Sequence, residues 1–142
     1  MTPPDTQGDT LTALRERYPD AETFAFDDTP DLCTRLLNVV CSGKKTATTG
    51  ALRDFRDGEA LPLLDRRDIA LHWDGSPACV SETQDIITCP FQDVTEAMAL
   101  AEGENPDLAG WQSDHTAYFT RTGGFAPDMM VVWERFKLIE IC

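Results

Sequence analysis

Lys44 and Lys45 stand side by side in the run SGKKTATTG, followed by Thr46, Thr48 and Thr49. A lysine beside a threonine can turn a hydroxyl into a nucleophile, provided the amine is neutral part of the time. That requires its pKa to fall from about 10.4 toward roughly 7 to 8, through burial or a cationic neighbour. Lys44 is such a neighbour for Lys45. A lysine that keeps its charge would instead hold a phosphate or a developing oxyanion. Further along, AEGEN supplies two carboxylates, Glu102 and Glu104, at the helix break expected at Gly103. Either can carry protons or orient water. The same residues also fit a plainer reading, an edge strand with surface lysines and a solvated acidic loop.

Other catalytic patterns are missing. A phosphate loop would need G-x-x-x-x-G-K-[ST], but Lys45 follows Gly43-Lys44 and Asn38 takes the place of the first glycine. There is no G-x-S-x-G and no HExxH, and His72 and His115 match no zinc spacing.

The charge is placed unevenly. The 142 residues carry a formal net charge of -13, which argues against broad adhesion to nucleic acid or anionic membrane. Yet residues 35 to 67 hold seven basic groups, Arg35, Lys44, Lys45, Arg53, Arg56, Arg66 and Arg67. Against them stand four acids, Asp54, Asp57, Glu59 and Asp65. This basic window is either a local anion site or a set of surface ion pairs.

Hydrophobic residues make up 42% of the chain, which suits one globular domain with a real core. No apolar run approaches the roughly 18 to 20 residues of a membrane span, and the N-terminus does not read as a signal peptide. Five scattered cysteines without a CxxC pair suggest reduced thiols and a cytoplasmic location, most of them as small core residues.

Elements must bring these groups together. Residues 1–8 read as a flexible N-terminus and 9–142 as a single domain. DTLTALRERYP predicts a helix capped at Asp9 or Thr10, and ETFAF a short strand. TPDLCTRLLNVVCSG predicts a helix with Pro30 in its first turn, apolar Leu32, Leu36, Val39 and Val40, and Gly43 at its end. KKTATTGAL favours strand, ALRDFRDGEALP a short helix or irregular segment. DIALHW and PACVSETQDIITC read as a hairpin joined by DGS. DVTEAMALAEGE opens with a capping box of Asp93 and Glu96. The next helix is capped by Asp107, closed by Gly123, and carries Leu108, Trp111, His115 and Phe119 on one face. MMVVWERFKLIEI predicts a long final strand. The fold class is α+β with a mostly antiparallel sheet. Trp73, Trp111 and Trp133 can stack a base, although core packing suits at least two of them.

In order, AETFAFDDTPDLCTRLLNVVCSGKKTATTGAL, CPFQDVTEAMALAEGE, WQSDHTAYF and VVWERFKLI resemble the ASCH domain family in its longer bacterial form. The resemblance spans about residues 11 to 141, with the G-x-K-T-x-T core and the downstream E-G-E as its specific part. It implies a small PUA-like β-barrel flanked by helices, with a cleft for RNA or a nucleoside. Some members hydrolyse the acetamide of acetylcytidine, and a longer member is described as a ribonuclease. Carried over by motif, Lys45, Thr48 and Glu104 match the catalytic lysine, threonine and glutamate of the amidohydrolase. The sequence departs from the common pattern at Asn105 and Pro106, at Gln112 after Trp111, and at Asp27, where glycine is usual.

These readings give two expectations. The first is an amidohydrolase on an acetylcytidine-like nucleoside, with Thr48 as nucleophile, Lys45 as base and Glu104 protonating the leaving amine. Lys44, Thr46, Arg53, Glu82, Glu102, Trp111 and His115 are then candidate substrate contacts, and no cofactor is needed. The second is a module for single-stranded RNA, with the basic window on phosphates. If it cleaves with a divalent metal, Glu82, Glu102 and Glu104 are the first candidates to hold the ion. Neither expectation involves a membrane or an obligate protein partner. In a straight strand Lys45 and Thr48 point to opposite faces, so a shared role needs a turn or bulge at Thr46-Ala47, or a substrate lying over the strand end.

Overall fold

The computed structural model describes residues 10–26, 29–56, 58 and 60–142. The segment 1–8, the alternative cap Asp9, Asp27, and Asp57 and Glu59 of the basic window lie outside them. Helix α1, Leu11–Arg17, starts where the Thr10 hydroxyl accepts the Ala13 N–H, and buries Leu14. Helix α2, Pro30–Cys41, has the Thr29 hydroxyl as its cap and buries Cys33, Leu36, Leu37 and Val40. Gly43 follows with φ 83, a left-handed backbone that glycine adopts without steric cost.

Five strands form one mixed sheet in the order β1-β3-β4-β5-β2. They are β1 Thr23–Phe24, β2 Ala47–Ala51, β3 Arg67–Leu71, β4 Pro77–Pro90 and β5 Met130–Ile141. Among the described residues only the β1–β3 pair is parallel. The hairpin is present: β3 and β4 are joined through Asp74, whose carboxylate accepts both the Ser76 N–H and hydroxyl. The α+β, mostly antiparallel class holds. The expected barrel does not close, because β1 and β2 are the two edges of the sheet and do not pair with each other. With two residues, β1 has too few backbone groups to carry a second ladder.

Helix α3, Leu52–Arg56, follows β2 directly. Helix α4, Glu96–Ala101, is capped by Thr95, which accepts the Met98 N–H, and not by Asp93. Asp93 instead ends a tight turn of 3₁₀ helix, Phe91–Asp93, and buried, extended Val94 separates that turn from α4. Helix α5, Leu108–Thr122, is capped by Asp107 and closed at Gly123 as expected. Its Trp111 and Phe119 pack with Phe91, Met98 and Trp133 in one core cluster. Trp111 and Trp133 are thus core residues, whereas Trp73 is exposed in the β3–β4 turn. The five cysteines are free thiols. Burial, with the charge of Cys41 and then of Cys142, pushes Cys79 up to about 12, which suits an inert core thiol. No helix among the described residues is long and apolar enough to cross a membrane.

Candidate active site

Lys45 lies on the bend between α2 and β2. Both the Lys44 and Lys45 N–H groups donate to the Val39 carbonyl at 3.2 Å, so the end of α2 holds this bend. Two bonds then tie it to the end of α4: the Thr46 N–H and hydroxyl donate to the Ala101 carbonyl at 2.9 and 3.0 Å. Gly103, with φ 74, lies so close that a Cβ there would overlap the Lys44 carbonyl oxygen. This contact carries a prediction. Gly103→Ala combines a strained φ with a backbone clash, and should cost about 3 kcal/mol or more in chemical denaturation. A loss below about 0.5 kcal/mol would show that the two segments are not locked together.

The lock delivers Glu102 to Lys45. The lysine is 2% exposed and Glu102 1% exposed. Lys45 Nζ lies 3.4 Å from Glu102 Oε1 and 2.9 Å from Glu104 Oε2. Glu102 Oε1 also faces His115 Nε2 at 3.4 Å. Its Oε2 accepts the Thr49 hydroxyl at 2.7 Å and the Trp111 indole N–H at 2.6 Å. Burial alone would raise the Glu102 carboxyl, but the Lys45 charge, His115 and the Thr49 hydrogen bond outweigh it and hold the group at about 2. Glu102 is therefore a saturated anionic anchor. Glu104 has Lys45 as its one ion-pair partner among the described residues and faces the cavity.

His115 stacks on Trp111, with ring centroids 4.1 Å apart. Its Nδ1 lies 2.9 Å from the Trp111 carbonyl oxygen. Both ring nitrogens thus meet acceptors, which suits an imidazolium with a proton on each. Burial works to lower its pKa, yet the Glu102 hydrogen bond and charge raise it overall.

A cavity of about 230 Å³ opens onto this cluster, lined by Lys45, Thr48, Glu104 and His115, with Arg35 and Arg121 among its other walls. The three residues matched by motif therefore face one space. Parity is kept, since Thr49 and not Thr48 joins Lys45 at Glu102, and Thr48 reaches the same cavity from β2 without a hydrogen bond to Lys45. The hydroxyl inside the charged cluster is Thr49, which the sequence reading passed over. The strand period pointed to it, since Lys45, Ala47 and Thr49 share one face of an extended chain. Thr48 lies across from Glu134 in the β2–β5 ladder, and its hydroxyl makes no hydrogen bond among the described residues.

Other candidates lie elsewhere. Lys44 is exposed. Thr46 serves the α4 junction, and Trp111 stands behind Glu102. Arg53 packs on Gly123 in a separate hollow with Arg56 and Met130. Glu82 pairs with Arg67 at 2.9 Å and so does not converge with Glu102 and Glu104. Among the described residues no group of three His, Cys, Asp or Glu side chains is arranged to hold a metal ion.

The ASCH domain sequence family matches residues 22–140. The chain is similar to the crystal structure of an ASCH domain from Lactobacillus crispatus JV V101, with 27% identity, a TM-score of 0.77, and coverage of 89% of this chain and 84% of that one. It is also similar to a protein of Enterococcus faecalis V583, with 26% identity, a TM-score of 0.79, and coverage of 92% and 85%. An ASCH structure from Zymomonas mobilis shares the fold at 13% identity and a TM-score of 0.52, over 73% and 62% of the two chains. No curated protein sequence matches the chain.

Proposed function

The chain belongs to the ASCH domain family, and from that premise we propose that it is an amidohydrolase acting on acetylcytidine or a similar acylated nucleoside. The observation that carries this reading is the Lys45–Glu104 contact of 2.9 Å in a cavity that Thr48 also lines. In the first step Lys45 passes a proton to Glu104 and becomes a neutral amine. Thr48 Oγ1 attacks the amide carbonyl while Lys45 Nζ takes its proton. The tetrahedral intermediate collapses as Glu104 returns its proton to the leaving amine, which leaves acyl-Thr48 and cytidine. A water then attacks the ester and gives its proton to Glu104. That proton goes to Thr48 Oγ1 as the acid departs. Thr49 is ill suited to the attack, because its hydroxyl is committed to a carboxylate held at about 2, a weak base.

Among the described residues, ion pairs take three of the seven cations of the basic window and so leave four, Arg35, Lys44, Arg53 and Arg56, for a phosphate-led mode for RNA. Of the seven cations in the basic window, Lys45 is buried in the cluster, Arg66 is bound to Asp68 and Arg67 to Glu82. A nucleoside without phosphates suits a net charge of -13. Purified protein should release cytidine from acetylcytidine, and kcat/KM should change less than about twofold between 50 and 200 mM salt. RNA held by several phosphate contacts would lose affinity steeply, with a log–log slope of about -0.7 per contact for single strands. No cytidine release by folded protein, together with steep salt-dependent RNA binding, would replace the amidohydrolase with the RNA-binding reading.

A further inference from the structure

A second cavity, of about 150 Å³, adjoins the first and shares Phe26, Thr48, Thr49 and Tyr118 with it. Its character is different. Phe24, Phe26, Phe55 and Tyr118 supply aromatic walls. Lys45 Nζ already lies over Phe26 at 6.0 Å and Arg121 over Tyr118 at 5.2 Å. Phe24, which meets Phe26 edge to face with centroids 5.1 Å apart, and Phe55 are therefore the rings left to a ligand. The groups charged at neutral pH are four carboxylates, Glu22, Asp54, Asp68 and Glu134, and one guanidinium, Arg66. Arg66 is spent on Asp68, with Nε and Nη2 donating at 2.8 and 3.1 Å.

Glu134 is thereby left without an ion pair of its own, and the Arg66 charge reaches it only as a secondary influence. Its Oε2 accepts the Thr83 hydroxyl at 2.5 Å, and no cation lies in ion-pair contact with it among the described residues. Burial raises its carboxyl, with the Asp68 charge adding to the rise, against the pull of that hydrogen bond and of the Arg66 charge. A half-buried carboxylate that faces a cavity and makes no direct ion pair favours a ligand that brings a positive charge. Aromatic faces combined with carboxylates are also how organic ammonium groups are recognised.

We propose that this second cavity binds an organic ammonium group, carried on the acyl part of the substrate. The placement on the acyl side rests on the amidohydrolase reading above. Thr48 stands on the wall common to both cavities, directly across the ladder from Glu134. Glu104, which protonates the leaving amine, lines only the first cavity. The amine half of the amide therefore lies in the first cavity and the acyl half extends into the second. An acetyl group fills little of that space, whereas a chain ending in an ammonium reaches the aromatic walls and Glu134.

Two measurements separate the cavity from the chemistry. In the first, n-butylammonium chloride and 1-butanol are titrated into the intact protein by NMR. The ammonium should bind saturably and move the ring signals of Phe24 and Phe55, and 1-butanol should not. Glu134→Gln should weaken n-butylammonium by about tenfold, and Asp54→Asn by a smaller factor. Equal response to the two probes, or binding that Glu134→Gln leaves untouched, would overturn the proposal. In the second, the cytidine amide of 4-(trimethylammonio)butyrate, which cannot close to a lactam, is compared with that of 5,5-dimethylhexanoate, its neutral isostere. The charged amide should show a kcat/KM about tenfold higher, and Glu134→Gln should bring the two values together. Equal values with ammonium binding intact would overturn the acyl-side placement. Loss of turnover on both amides would count against the amidohydrolase reading, and the n-butylammonium titration would still decide on the cavity.

Discussion

Lys45→Ala is expected to lower acetylcytidine turnover by about 100-fold or more, while Lys44→Ala changes it only a few-fold. A purely electrostatic patch would treat the two lysines alike, because they are adjacent in one basic window. The fold does not. Lys44 is exposed, whereas the Lys45 side chain is buried between Glu102 and Glu104 at the floor of the cavity. Lys45→Arg divides charge from proton transfer: arginine keeps the positive partner for both carboxylates but cannot act as a base near neutral pH. Its turnover should be as low as that of the alanine variant, with stability closer to the parent. Full activity in Lys45→Arg would remove the general-base role. Equal losses at Lys44 and Lys45 would favour a simple binding patch. Steady-state kinetics, with denaturation curves to confirm folding, check all three.

Glu102→Ala should destabilise the fold by about 3 to 5 kcal/mol, the range for removing one partner of a buried charge cluster. Four groups converge on this carboxylate, and its loss leaves Lys45, His115, Thr49 and Trp111 without their common acceptor. Urea denaturation measures the change, and a cost under about 1 kcal/mol would show that Glu102 is not the anchor of the site. The pH dependence follows from the same carboxylate. Its pKa falls from an ordinary 4.5 to about 2 on folding, so its contribution is fully present above the ordinary value and is lost as pH drops toward 2. The drop corresponds to about 3 kcal/mol between these limits. His115 acts in the opposite sense. Its pKa is raised, so its contribution is present below an ordinary 6.5 and is lost as pH rises through the folded value. Stability should therefore fall toward both ends of the range, and Glu102→Ala should flatten the acid side.

Much of the architecture was legible because local chemistry decides it. Thr29 before Pro30, Asp107 before the Trp111 helix and Gly123 after it each leave few alternatives for the backbone. The α4 cap was less legible. Asp93 and Thr95 can both accept an N–H, and tertiary burial of Val94 chose between them. Sheet closure was also out of reach, since nothing local sets how long β1 runs. In the site, the family motif identified Lys45, Thr48 and Glu104, which do line one cavity. It could not rank Glu102 against Glu104, two identical side chains on either side of one glycine. Trp111 and His115 decide that, one helix further on, by donating to Glu102, so that of the two carboxylates lining the cavity Glu104 keeps the fewer partners. Thr49 went unnoticed because three threonines follow the lysines and the family motif singles out Thr48, although the strand period sets Thr49 on the face of Lys45.

Cytidine release from acetylcytidine by Thr48→Val and Thr49→Val, assayed beside the parent protein, tests the central claim most directly. Thr48→Val should reduce turnover by about 100-fold or more, because the attacking oxygen is gone and no hydrogen bond of the fold is lost with it. Thr49→Val should lose about 1 to 3 kcal/mol of stability, through the unmet Glu102 acceptor, and retain turnover within about tenfold. Full turnover in Thr48→Val, or a loss confined to Thr49→Val, would contradict the account.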